Sequence, residues 1–195
     1  MMADENAVAR TREWIKTELR QLASKLKRGD DEELLVWVIS GALACAHRPL
    51  RYHPEFGGSG RELPPEAASE VLSWVDRIVN GGIRSIICLM HPNEIRHYAL
   101  LNLGAPDILA FYRRRGLLVC HLPWDDPAHR PPGSRASFQD EVLRVRGEAL
   151  ACFDRLPKPI LIHCSAGQDR SAPVAAYIYE MRCTALPPPA LRRRI

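Results

Sequence analysis

Ile160-Leu161-Ile162-His163-Cys164-Ser165-Ala166-Gly167-Gln168-Asp169-Arg170-Ser171 decides how the rest of the chain is read. A short apolar run ends in His163-Cys164, five residues follow, and Arg170-Ser171 opens a helical pattern carried by Val174, Tyr177, Ile178 and Met181. An apolar strand that feeds a small-residue loop and then a helix start is an anion-binding geometry. Successive backbone N–H groups turn inward, and the helix N-terminus adds positive potential. A cysteine at the mouth of such a loop is expected to rest as a nucleophilic thiolate. Arg170 brings a planar fork that fits two phosphate oxygens, which a lysine does less well. Ser171 can offer its hydroxyl to the sulfur, and Gly167 is expected to spare the anion a blocking Cβ. The N–H groups of Ser165, Ala166, Gly167, Gln168, Asp169 and Arg170 are the expected anion ligands, with His163 and Ser171 in support.

Outward from this stretch, apolar runs and helical periodicities alternate. Residues 5–28 read as an amphipathic helix with Val8, Ile15, Leu19, Leu22 and Leu26 on one face, ended by Gly29-Asp30-Asp31. This basic helix could lie on a membrane, but its thin apolar stripe favours packing on its own domain. Leu34 to Ile39 is a strand candidate, followed by Gly41 and a loop through His47-Arg48-Pro49. Residues 53–64, with three glycines and two prolines, are a loop by composition. Pro65 suits a helix first turn, and Val71, Trp74, Val75, Ile78 and Val79 keep helical spacing up to Gly81-Gly82. Ile83 to Met90 reads as a buried strand, residues 94–103 and 106–115 as short helices, and Leu117 to Leu122 as the next strand. Ser137 is expected to cap a helix carrying Phe138, Val142, Val145, Ala149, Cys152 and Leu156, which Pro157 and Pro159 stop. The fold class is therefore α/β: a central, mostly parallel sheet flanked by helices, with an extra N-terminal helix. The anion loop falls at the carboxyl end of a strand, where open α/β sheets place ligands.

The 195 residues suit one domain with a proper core, divided as an N-terminal helix (1–30), the main domain (31–185) and a flexible basic tail (186–195). Apolar content of 46% with 26% charged residues excludes wholesale disorder. A formal net charge of +4 gives a mild preference for anions, too weak to argue a stable nucleic-acid partner, and no aromatics interleave the basic clusters as stacking platforms. The six cysteines are scattered without metal spacing, and buried reduced thiols are the default. The acidic start Met1-Met2-Ala3-Asp4-Glu5 lacks a signal-peptide pattern, and the longest apolar run is too short to span a bilayer. A cytoplasmic, reducing setting is expected, and a thiolate nucleophile needs one.

A thiolate that attacks a phosphate monoester must expel an alkoxide or phenoxide, so a positioned acid is required. His121-Leu122-Pro123-Trp124-Asp125-Asp126-Pro127 offers two carboxylates at a strand end, although Asp and Pro also make ordinary turns.

The segment from His163 to Ser171 resembles the His-Cys-(x5)-Arg-Ser/Thr signature of the cysteine-dependent protein tyrosine and dual-specificity phosphatases. Pro-Trp-Asp-Asp is similar to the acid loops of the regenerating-liver and tensin-type members, which maps the general acid onto Asp126, with Asp125 as runner-up. Trp37 to Ala44, Gly82 to Leu89, Phe111 to Leu117 and Arg170 to Val174 resemble further segments of small atypical dual-specificity phosphatases. The likeness covers roughly residues 34–183 and leaves the first helix outside. It implies a phosphotyrosine phosphatase-like fold and hydrolysis of phosphotyrosine, with phosphoserine and phosphothreonine as further substrates. Cys164 would be the nucleophile, Arg170 the phosphate clamp and Asp126 the acid, with phosphorylated proteins as partners and no metal or cofactor. Asp169 departs from the Gly, Ser or Asn usual before the arginine and is similar to some phosphoinositide and bacterial lipid phosphatases. A phosphoinositide or RNA 5′-phosphate substrate, or a phosphate-binding module without catalysis, are the alternatives. The resemblance also implies a protective disulfide to Cys164, for which Cys88 is the nearest candidate and a plain buried thiol the competing reading.

Overall fold

The computed structural model describes residues 4–125 and 135–183, the first five of the second stretch by backbone alone. Asp126, the proline-rich stretch after it and the basic tail 186–195 lie outside the described residues.

Helix α1 (Glu5–Lys27) is capped by the Asp4 carboxylate on the Asn6 N–H and ends where Gly29 turns to φ +79°. Its apolar stripe is buried as expected, with Ile15 and Leu19 fully enclosed. Strand β1 (Val36–Ile39) then pairs antiparallel with β2 (Leu43–Ala46). A loop was expected over 43–46; the structure has a wholly buried strand there, reached through a turn that Gly41 allows with φ +67°. A short 3₁₀ turn at Pro65–Ala67 leads into α2 (Ala68–Asn80). Strand β3 (Ser85–Cys88) follows, then a single helical turn α3 (Pro92–Ile95), α4 (Ile108–Arg114) and β4 (Leu118–His121). The helix expected over 94–103 is shorter, starting at Pro92 and ending in a 3₁₀ turn at Tyr98. Helix α5 (Arg135–Arg155) starts two residues before the expected cap, and β5 (Ile160–His163) and α6 (Ser171–Cys183) complete the chain.

The sheet order is β1-β2-β5-β3-β4, with β2, β5, β3 and β4 all parallel and β1 the antiparallel edge. Strand alternation sends neighbouring residues to opposite faces. Leu43, Cys45, Ile87, Ile160 and Ile162 pack with α1, α5 and α6, whereas Ala44, Ala46, Ile86, Cys88 and Leu161 pack with α2 and α4. No helix among the described residues is long and apolar enough to cross a membrane.

Not all thiols are reduced, contrary to expectation. Cys120 on β4 and Cys152 on α5 lie 6.7 Å apart at their Cα atoms and form a disulfide. Helical and strand periodicity each hid a partner that only tertiary packing brings near. Cys45, Cys88, Cys164 and Cys183 remain free and buried.

Candidate active site

Four parallel strands deliver their carboxyl ends to one place, and the 164–170 loop rises from β5 in the middle. Its shape is held from every side by other chain ends. The Arg48 N–H donates to Ser165 O at 3.0 Å, the Leu89 N–H donates to His163 O at 2.8 Å, and the Ala172 N–H returns to Gly167 O at 3.0 Å. Cys164 is 2% exposed at the loop floor, and the Gly167 N–H donates to its Sγ at 3.2 Å.

Gly167 is required for a different reason from the one expected. Its φ is +72°, and a Cβ there would meet Ala46 O and Leu19 Cδ1 at 3.1 Å each. The glycine thus makes room for β2 and α1.

Arg170 is buried, and its guanidinium is held before any phosphate arrives. Nη2 donates to Glu94 Oε1 at 2.6 Å, and Nη1 donates to Glu94 Oε2 at 2.5 Å, to Trp124 O at 2.9 Å and to Leu89 O at 3.2 Å. This is a bidentate fork-on-fork pair that fixes the plane of the guanidinium. Burial alone would raise the Glu94 carboxyl, but its bonds to Arg170, that cation's charge and the His91 N–H outweigh burial and hold it below the usual carboxylate range.

Sequence reasoning missed Glu94. Its local signal was present: Pro92 occupies the first turn of α3, and the His91 backbone N–H donates to Glu94 Oε2 at 2.8 Å while the His91 ring accepts from the Asn93 N–H at 3.3 Å. That is a capping box with histidine in the usual Ser or Thr place.

His163 is fully buried, edge-on to Trp74 and Tyr112, and donates from Nδ1 to Cys164 O at 3.2 Å. Burial pushes it down to about 4, against the pull of that carbonyl. It therefore restrains the loop as a neutral ring and cannot keep the thiol ionised by charge. His47, also missed, lies between the loop and α1, with Nδ1 2.9 Å from Ala166 O and Nε2 3.1 Å from Leu19 O. Burial lowers it to about 4 although both carbonyls oppose the shift, so the neutral ring donates to one of them at a time.

Gln168 Nε2 donates to Lys16 O at 3.4 Å, and the Asp169 carboxylate lies 3.6 Å from Lys16 Nζ. Ser171 is buried, and its Oγ has no hydrogen-bond partner among the described residues, so the expected bond to sulfur is not made. Asp125 is exposed at the mouth, 3.3 Å from His91 Nε2. Asp126, the expected acid, is the next residue and lies outside the described ones. Cys88 and Cys164 are both free: Cys88 pairs with His163 on β5 and packs in the layer under α2 and α4, whereas Cys164 packs in the opposite layer. Burial, the largest influence, pushes the Cys88 thiol up to about 12. No group of metal-ligating side chains occurs among the described residues.

No family model matches the chain, and no curated protein does. Among solved structures, it is similar to a kinase associated phosphatase whose catalytic-site cysteine is replaced by serine. The identity is 19% over 75% of this chain and 68% of that one, with a TM-score of 0.49.

Proposed function

We propose that the chain is a phosphomonoesterase acting on phosphotyrosine in proteins, with phosphoserine and phosphothreonine as further substrates, through a phosphocysteine intermediate. The observation that supports this best is the pairing of Cys164 Sγ with the Gly167 N–H, in a loop whose closing arginine is already held flat by Glu94. In the first step Cys164 Sγ attacks phosphorus, the ester P–O bond breaks, and Asp126 gives its proton to the leaving oxygen. The loop N–H groups and Arg170 take up the charge of the equatorial oxygens as the bonds exchange. In the second step water attacks the phosphocysteine, the S–P bond breaks, and the Asp126 carboxylate accepts the water's proton. All these roles fall to side chains and backbone of this chain. The setting we propose is the cytoplasm, whose reducing poise keeps Cys164 a thiol and acts equally on Cys120–Cys152.

The test is Cys164→Ser. Hydrolysis of a small aryl phosphate should vanish while inorganic phosphate still binds, because serine keeps the shape and loses the nucleophile. Mass spectrometry of acid-quenched wild type should show a phosphoryl group on Cys164. Residual turnover in the serine variant would overturn the mechanism.

A further inference from the structure

Beyond β2, His47, Arg48, Arg51 and Tyr52 line, with Leu26, Leu34 and Trp74, a cleft of about 100 Å³. Two cations gather on the ring of Tyr52, which lines this cleft: the Arg51 guanidinium, also of the lining, is 5.0 Å from its centroid, and Lys27 Nζ, from the end of α1, is 5.3 Å away. Among the described residues neither has a carboxylate partner, and Arg51 Nε is buried with no hydrogen bond. Arg48 beside them is 2% exposed, and its side-chain hydrogen bonds among the described residues go to neutral groups: Gly58 O, Pro49 O and the Tyr98 hydroxyl. Cations gathered without ion pairs of their own repel one another, and the buried Arg51 Nε has lost its hydration; of the two carboxylates in the lining, Asp31 is taken by Arg77. An anion in the cleft removes both costs.

The cleft adjoins the catalytic loop through two rings. The Tyr52 and His47 rings meet edge-on with centroids 4.6 Å apart, and His47 in turn touches Ala166 O. The electrostatics agree with this placement. Burial raises the Tyr52 hydroxyl first of all, and the charges of Cys164 and Asp169 add to the rise against Arg51.

We propose that Arg51, Lys27 and Tyr52 form a second anion subsite, which takes an acidic group flanking the phosphotyrosine of a peptide substrate. The group is a single oxyanion, from a glutamate or aspartate carboxylate or from a second phosphate. A polyphosphorylated ligand fits less well, since Asp31 and Glu70 line the same cleft. The apolar walls suit a peptide side chain beside the anion. This inference rests on the phosphotyrosine reading of the catalytic loop.

The experiment measures kcat/KM for phosphotyrosine peptides that differ at one neighbouring position, walked along both sides of the phosphotyrosine: glutamine, glutamate or phosphoserine. Wild type should prefer an acidic peptide over its glutamine match by about tenfold at the best position, the worth of one charge-assisted hydrogen bond. Arg51→Gln should bring that preference to within about twofold, and Lys27→Glu, an exposed change that folding tolerates, should reverse it. A preference shown by glutamate assigns the carboxylate, and one confined to phosphoserine assigns the phosphate. Absence of any preference in wild type, its survival in both variants, or a polyphosphorylated inositol outrunning every peptide would overturn the proposal. The same ratios read as Kd on Cys164→Ser report the subsite even where turnover fails, which separates this inference from the catalytic reading.

Discussion

Glu94→Gln is the perturbation with the most to say about this site, because it is nearly isosteric and removes one charge. Arg170 is 1% exposed at its side chain and Glu94 18%, so the pair is effectively enclosed. The substitution turns one oxyanion into an NH₂ group facing an N–H of Arg170, and it leaves the buried guanidinium with the neutral acceptors Leu89 O and Trp124 O among its partners. Breaking one side of a buried pair costs about 3–5 kcal/mol where nothing compensates. The remaining carbonyls and one surviving amide acceptor bring the expected loss to roughly 2–3 kcal/mol, in the range of hydrogen bonds to charged groups. The guanidinium loses its fixed plane as well, and a misplaced clamp should lower kcat/KM for an aryl phosphate by about 10²-fold. Urea unfolding at pH 7 and steady-state hydrolysis read the two quantities separately. The pH dependence supplies a further check. The Glu94 carboxyl is depressed in the folded state, so its stabilisation is complete above its unfolded value and is lost as pH falls through its folded one. Wild type and variant should therefore converge in stability in acid. A variant within about 0.5 kcal/mol of wild type at pH 7, with turnover within a few-fold, would refute the claim that Glu94 positions Arg170.

Gly167→Ala should cost about 1–3 kcal/mol and most of the activity, because a left-handed φ and two contacts at 3.1 Å act together; wild-type melting and turnover would show that the loop adapts. Asp126→Asn should lower turnover by roughly 10²-fold, most for substrates with poor leaving groups, and flatten the basic limb of the pH profile. A larger loss from Asp125→Asn, whose carboxylate meets His91, would move the acid one residue back. His47 and His163 are each lowered to about 4, so their stabilisation is complete above the unfolded value near 6.5 and drains away as pH falls towards 4. Unfolding should take up close to two protons across that window, with an upper limit of about 3 kcal/mol per ring; a flat stability profile between pH 6.5 and 4.5 would show that the rings are not buried neutral.

What could be read from the sequence is what periodicity and loop chemistry carry. The stripe of α1 and the strand–loop–helix around Cys164 are local patterns, and the structure has them at the expected residues. Strand β2 was not legible, because Leu43-Ala44-Cys45-Ala46 has little β-propensity of its own. Its small side chains suit a central position where helices press from both faces, and it pairs with β5 on one side and β1 on the other. Glu94 and His47 escaped for another reason. Each gains its role from a partner far along the chain, Arg170 at a separation of 76 residues and Ala166 at 119. No window of sequence joins such positions; only the sheet order does, by bringing the ends of β2 and β3 to either side of β5.

The first helix follows from the same logic. It lies outside the region of resemblance, yet three successive loop residues rest on it: Gly167 against Leu19, Gln168 on Lys16 O and Asp169 opposite Lys16 Nζ. A carboxylate at Asp169 weakens the positive field of the loop, and Lys16 offsets that charge. The pair is partly exposed, with Asp169 at 47%, and such pairs contribute at most about 1 kcal/mol. Leu19 is fully enclosed beneath the glycine, and its O lies 3.1 Å from the His47 ring that also reaches Ala166. Burying a leucine is worth roughly 2–3 kcal/mol, more than the ion pair beside it. What α1 gives the catalytic loop is therefore mainly shape: a wall that only a glycine at 167 can approach, and that fixes where the Gly167 N–H meets the sulfur of Cys164.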